Sequence, residues 1–474
     1  MNAPLAWAVV IPLLGAGSCL VAGRGTVRWV AGATILGTLL AAIAVTGLVA
    51  SHGTVHHRVG GWGAPLGIEL RADGIASVML LTAAVVGALI SLDPLGRTGR
   101  HDEEEAGCLS LWFFAWAALN ALLLSADVFN LYVSLELATL AAVGLVALGG
   151  DHAAIRAALH YLLIALPGSL LYLLGVGLLY GEYATLDIGT LGLHVAPTPG
   201  TGIALALMTA GLCLKAALFP LHGWLPAVYI HSRYPVSALL AALIGKGSFY
   251  VLLRVWMGVT PAELMPGVGG LLGLLGAAGI LWGSVQALGQ TRLKPLLAYS
   301  SVAQIGYLFL VFPLTTPAAW SGGIYLAVSH AAAKAAMFLA AAEIHRVSGS
   351  DELANMSGRA RDLPIGFTAL ALSGMSLMGM PPTGGFVAKW LLVRVALEEG
   401  RWWLAAVILA GGLLAATYIF RVLRIAFLPV ASVRLLNPPR RGAELVALAL
   451  ALFALGLGLF PSTPLAIMQV GPSR

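Results

Sequence analysis

Charge is scarce in this chain. Of its 474 residues only 10% are Asp, Glu, Lys or Arg, where a soluble globular domain carries about a quarter. That shortage excludes an ordinary soluble enzyme. With 26 basic against 20 acidic residues the net charge is +6, too thin a field for a nucleic-acid footprint. Cysteine is nearly absent too. Cys19, Cys108 and Cys213 stand singly in apolar surroundings, with no Cys-x-x-Cys pair, cluster ligand set or haem motif, so no redox centre and no cofactor is expected in the chain itself. No polar stretch is long enough for a separate soluble domain. What the chain has in abundance is apolar sequence, 59% of it, arranged in runs of about 20 residues, the length that crosses a hydrocarbon core as a helix. The first run lacks a basic n-region and is followed at once by others, so it reads as a membrane helix and not a cleaved signal.

These runs predict an all-α membrane protein of about fourteen transmembrane helices. They lie near 3–22, 27–50, 74–92, 108–125, 128–149, 157–180, 201–219, 235–256, 266–288, 295–312, 319–344, 364–397, 402–427 and 442–460. Segment 54–72 mixes Gly, Pro and alternating apolar residues and reads as a short extramembrane hairpin. Orientation follows from Lys and Arg near the span ends. After odd-numbered spans stand Arg24, Arg28, Arg97, Arg100, Arg156, Arg233, Arg292, Lys294, Arg346, Arg359, Arg361, Arg421, Arg424, Arg434, Arg440 and Arg441; after even-numbered spans only Arg58, Arg71 and Arg401. Both termini are therefore expected to face away from the cytoplasm, on the extracytoplasmic side.

Four of the five lysines, Lys215, Lys246, Lys334 and Lys389, fall inside spans, as do Arg254 and Arg394. A charge at mid-bilayer costs at least about 2.5–3.5 kcal/mol on insertion scales, so such residues usually face a polar interior and mark an ion path. Snorkelling from a helix end accounts for Arg254 and Arg394, near their span ends, but not for Lys215, Lys246 and Lys334. Lysine also suits proton carriage, because it changes charge on desolvation where arginine does not. Among the acids Glu136 lies deepest, while Asp127, Glu343 and Glu444 lie nearer span edges; a lone buried carboxylate needs a cation, and one of the lysines is the candidate. His330 and Lys334 are four apart, hence on one helical face, and read as a relay. His160, His222 and Asp127 are secondary candidates.

Prolines interrupt two spans: Pro220 at the end of span seven, and Pro381 and Pro382 within span twelve. Each removes a backbone donor and frees a carbonyl, and broken helices in corresponding positions of two halves point to the ion site of a repeat-built transporter. A shift of about 160 residues superposes spans 4–8 on spans 9–13, two five-helix repeats whose odd number makes them inverted. The expected division is 1–107, 108–256, 266–427 and 442–474.

The runs APLGIELRAD, SADVFNLYVSLEL, GLCLKAALFPLHGWLPAVY, PVSALLAALIGKGSFYVLLRV, LLAYSSVAQIGY, HAAAKAAMFL and GMPPTGGFVAKW resemble, in order and over nearly the whole chain, the antiporter-like proton-conducting subunits. That family is shared by Mrp-type multisubunit Na+/H+ antiporters, respiratory complex I and membrane-bound hydrogenases. GWGAPLGIELRAD, DVFNLYVSLEL and LVALGG together are most similar to the D-type Mrp subunit. The resemblance implies a carboxylate–lysine pair at Glu136 and Lys215, a central lysine at Lys246, a relay at His330 and Lys334, and a terminal charged residue at Lys389. It further implies a secondary-transport subunit partnered by other membrane subunits, by H+ and Na+ and by lipid, or alternatively the proton-pumping subunit of a redox complex. No cluster of intramembrane oxygens stands out as a sodium cage.

Overall fold

In the computed structural model the described residues are 3–23, 25–63, 67–95, 102–429 and 436–471, and the side chains of 93–95 and 102–104 are outside the description. Arg24, Arg97, Arg100, Arg434 and Arg474, and the acidic side chains of 102–104, therefore lie outside the described residues.

Two helices, α1 (Ala3–Val21) and α2 (Val27–His52), lead into an antiparallel hairpin of β1 (Val55–Arg58) and β2 (Glu69–Ala72), in register Val55↔Ala72 to Arg58↔Glu69. The hairpin expected at 54–72 is present. Four helices follow, α3 (Gly74–Leu95), α4 (Asp102–Leu124), α5 (Val128–Ala147) and α6 (His152–Tyr183), then a short surface helix α7 (Ile188–His194) that the sequence does not announce. The next spans are discontinuous: α8 (Pro199–Lys215) with α9 (Trp224–His231), and α10 (Tyr234–Ala242) with α11 (Gly247–Gly258). Then come α12 (Met265–Gly289), α13 (Leu293–Phe309), α14 (Pro317–Ser348), α15 (Pro364–Met378), α16 (Gly384–Glu398), α17 (Trp402–Phe427), α18 (Arg441–Leu459) and α19 (Ser462–Met468).

Eleven of these segments are long and apolar enough to cross a membrane, α10 and α11 counting as one. Breaks shorten or interrupt the expected spans at 201–219 and 364–397, and the one expected at 295–312 corresponds to the continuous but shorter α13. Local chemistry sets many helix starts. Asp127, Asp151, Thr198, Thr316 and Thr383 each accept from a backbone N–H of the helix that follows, satisfying donors that helix geometry leaves open.

Burial is graded from the centre outward. The middle of α14 is enclosed on all sides by α3, α10, α13, α15, α16 and α18. α6 instead turns Ile155, Leu159, Leu163, Leu166, Leu170, Leu174 and Leu178 outward. An apolar outer face around an interior that holds the charges is the pattern a bilayer imposes. The snorkelling expected of Arg254 does not occur: its half-buried guanidinium turns to Asp73, just before α3, and bonds both carboxylate oxygens at 2.6 Å. Arg394 behaves as expected, exposed and paired with Glu398 on its own helix. Arg421, assigned to a loop from sequence, lies within α17 and its guanidinium donates to Leu288 O and Gln290 O at the end of α12.

Candidate functional site

A helix that stops inside a membrane leaves carbonyls without intrahelical partners, and its C-terminal end carries partial negative charge. Three helices end this way, and each end meets a lysine. α8 stops at Lys215 itself, followed by the turn 216–223 that contains Pro220; Trp224 Nε1 donates at 3.2 Å to the Leu214 carbonyl, which also accepts from Ala217 N. α15 stops at Met378, where Gly379 adopts φ +84° before Pro381 and Pro382, and Lys389 Nζ donates back to Leu377 O at 2.7 Å and Met378 O at 3.3 Å. A Cβ on Gly379 would come within 2.7 Å of Lys389 Cδ, so glycine there serves both the turn and the close approach. The third break has no proline to announce it. Span eight passes through a single 3-10 turn at Ile244–Lys246 between α10 and α11, and Lys246 Nζ donates to Ala241 O at the end of α10.

The two outer lysines differ in partner. Lys215 forms an ion pair with Glu136, halfway along α5, and donates to Ser169 Oγ of α6 at 2.8 Å; Ser169 Oγ also bonds the Glu136 carboxylate. The lysine side chain is 3% exposed and the carboxylate 18%, so the pair is closed at the cation and opens at the anion. This arrangement requires α6 and α8 to touch. A Cβ on Gly211 would collide with Gly168 O, and one on Gly168 would lie 3.0 Å from Lys215 Cγ, so the two glycines set the crossing that delivers Ser169 to Lys215. Lys389 has no carboxylate within ion-pair distance among the described residues; the Tyr307 ring lies 4.0 Å from its Nζ.

Between them, Lys334 on α14 donates to Leu297 O at 2.8 Å and Ser300 Oγ at 2.5 Å, both on α13. His330, one turn earlier, is 4% exposed, and both its ring nitrogens are buried without a protein hydrogen-bond partner. The charged groups acting on it are Lys246, Lys334 and Lys389. Gln304 Nε2 donates at 3.2 Å to Leu377 O, the carbonyl that also holds Lys389. A cavity of about 10 Å³, at the lower limit for holding one water, is lined by Lys246, Tyr250, Thr82 and Ala331. Lys246, His330, Lys334 and Lys389 thus form one electrostatic group, and among the described contacts none joins it to Lys215.

Other sequence candidates fall elsewhere. His160 is on the outward face of α6, away from the lysines, because its helix turns that side outward. His222 sits in the α8–α9 turn, where Trp282 Nε1 donates to its Nε2 at 3.1 Å. Asp127 caps α5 by accepting from Phe129 N and Asn130 N, each at 2.8 Å. Glu343 pairs with Arg346 and Glu444 with Arg441. Sequence reasoning missed Ser169, Ser300, Gln304 and Tyr307. The polar run YSSVAQIGY held three of these in plain view, at the 3–4 residue spacing of one helical face.

An enclosed helical bundle with lysines at its helix breaks, and an apolar outer face, defines a multi-pass integral membrane protein with an internal ionisable row. The family model described as NADH:quinone oxidoreductase/Mrp antiporter, transmembrane, matches residues 125–415, and the chain belongs to that family. It is 38% identical to the N-type subunit of the NADH-quinone oxidoreductase of Desulforudis audaxviator, over 89% of this chain and 85% of that one. It is 31% identical to the D-type subunit of the Na(+)/H(+) antiporter of Alkalihalophilus pseudofirmus, over 84% and 81%. Among solved structures, a chain of the Mrp complex from Dietzia sp. DQ12-45-1b superposes with a TM-score of 0.90 at 27% identity, covering 99% of this chain and 96% of that one. The chain is an antiporter-like membrane subunit.

Proposed function

We propose that this chain is the proton-translocating subunit of a multisubunit monovalent cation/H+ antiporter of Mrp type. The observation that carries the proposal is the ion pair between Glu136 and Lys215 at the end of a broken helix, followed by amines that only neutral groups hold. Spans 4–8 and 9–13 act as inverted units, each with a broken helix. While the pair is closed, Lys215 is held as a cation. Opening it leaves a buried amine without its counter-ion, and the proton passes on through Lys246 toward His330, Lys334 and Lys389. Coulomb coupling between unit charges about 6–8 Å apart is about 2–3 kcal/mol at an effective dielectric near 20, enough to change the order in which neighbours protonate. The partners are further membrane subunits, with both termini extracytoplasmic and sodium a transported ion of the assembly.

The 38% identity to a complex I subunit favours a second reading, a proton-pumping subunit driven by electron transfer in partner chains. One experiment separates the two. Inverted vesicles from an antiporter-deficient host expressing the complete operon are loaded with a pH-sensitive dye, and Na+, K+ or Li+ is added. Cation-dependent dequenching without an electron donor, lost in Lys215→Ala, establishes the antiporter; a gradient formed only with NADH, ferredoxin or another donor establishes the redox-driven pump.

A further inference from the structure

The fifth lysine is the unexpected one. Lys294, assigned from sequence to the basic loops that set orientation, is 7% exposed in the first turn of α13. A loop lysine of purely topological role extends its ammonium into water. This one turns inward, donating to Ser232 O at the end of α9 with its Nζ 4.3 Å from the centre of the Tyr234 ring. No carboxylate lies within ion-pair distance of it among the described residues. Asp351, whose charge acts on Lys294, is engaged by Arg292 at 2.7 Å, and the further charged groups acting on Lys294 are Arg292 itself and Asp151. On the α14 side stands His345, its ring 5.6 Å from Tyr234 and its Nδ1 buried without a protein partner. Arg292, two residues earlier, has a side chain 55% exposed, so Lys294 lies just inside the surface.

Along the same helix the next polar groups inward are Leu297 O and Ser300 Oγ, which hold Lys334. Six residues of helix advance about 9 Å. We propose that Lys294 is the entry residue of the lysine row, passing protons between the aqueous phase at the basic-loop side and Lys334. The proposal rests on the proton-carrying reading of that row. The neutral amine takes a proton from the aqueous side, forming an N–H bond; the ammonium gives one up toward Ser300 and Lys334 through intervening hydroxyl and water, and the neutral amine is restored. No electron moves.

The alternative is a staple, a cation holding the C-terminal end of α9. An arginine holds a carbonyl equally well and does not give up its proton. In the complete complex, Lys294→Arg is therefore expected to assemble and to slow proton movement in inverted vesicles at least tenfold. Lys294→His keeps a titratable group that releases its proton at lower pH, so its transport optimum is expected to move acidward by about a unit or more. An assembled Lys294→Arg complex above half the wild-type rate, or a Lys294→His complex with the wild-type pH profile, overturns the proposal. If Lys294→Arg fails to assemble, the Lys294→His profile decides. Lys215→Ala is the control: if it transports normally, the proton-carrying reading itself is wrong, whereas an inactive Lys215→Ala beside an active Lys294→Arg removes only Lys294 from the path.

Discussion

The break after α8 and the break after α15 solve the same problem with different partners. Both end a helix inside the bundle and both have a lysine at the break, as the last residue of α8 in the first and reaching back to the end of α15 in the second. At the first, Lys215 has a carboxylate and a serine; at the second, Lys389 has two carbonyls and the face of Tyr307. A carboxylate on a separate helix can be withdrawn by moving that helix, which is how the proposed mechanism controls the charge at Lys215. The carbonyls at Lys389 belong to the break itself and stay with it. The group that feels several charges at once is His330, on which Lys246, Lys334 and Lys389 all act. In the proposed mechanism the first end of the row is switched by moving a helix, whereas the second is held by carbonyls that stay with its own break.

The comparison can be tested where it is sharpest. Lys215→Ala or Glu136→Ala should abolish proton transport in vesicles while the assembled complex remains detectable in the membrane. An uncompensated buried charge costs about 3–5 kcal/mol, so the amount of assembled complex is measured beside the transport rate. Normal transport in either well-expressed variant would falsify the assignment of the pair. Next, Lys389→Met should lower transport at least tenfold, since a thioether carries no proton, whereas Tyr307→Phe keeps the ring and loses only the 3.2 Å bond from its hydroxyl to Ile408 O. That variant should cost about 1 kcal/mol of stability and leave the rate within about twofold.

Gly211→Ala tests the crossing that brings Ser169 to Lys215. Its Cβ would press on Gly168 O, so the helices must part; overpacking of this kind costs about 1–3 kcal/mol. Transport and the melting temperature of the purified complex should fall together, whereas Gly379→Ala at the second break should lose transport by displacing Lys389. The smallest effect is expected from Asp127→Ala, which removes a helix cap worth about 1 kcal/mol and should leave the transport rate unchanged. A large transport loss there would mean that Asp127 does more than cap α5.

Much of this was legible because buried charge is so costly that its mere position carries information. Glu136, Lys215, Lys246, His330, Lys334 and Lys389 could be picked out by asking which ionisable residues lie far from any span end. The prolines announced two of the three breaks. The third has no proline, only glycines on either side of Lys246, a pattern that small-residue packing in other membrane helices also produces. Lys294 and Arg254 were misread for one reason: each sits near a span end, where sequence cannot distinguish a side chain reaching for water from one turned inward. Their partners, Ser232 and Asp73, are far away in the chain.

Hydropathy and charge placement were sufficient for the class of molecule and most of its membrane helices, and they pointed to the residues proposed to carry protons, because the bilayer penalises polar groups so heavily that few arrangements survive. The pairings were beyond their reach. That Lys215 meets a carboxylate while Lys334 and Lys389 meet carbonyls, hydroxyl and a ring, and that Lys294 lies inside, depends on which helices cross where. Those crossings are decided by glycine contacts and helix ends between segments distant in the chain, and no local pattern encodes the meeting of two such segments.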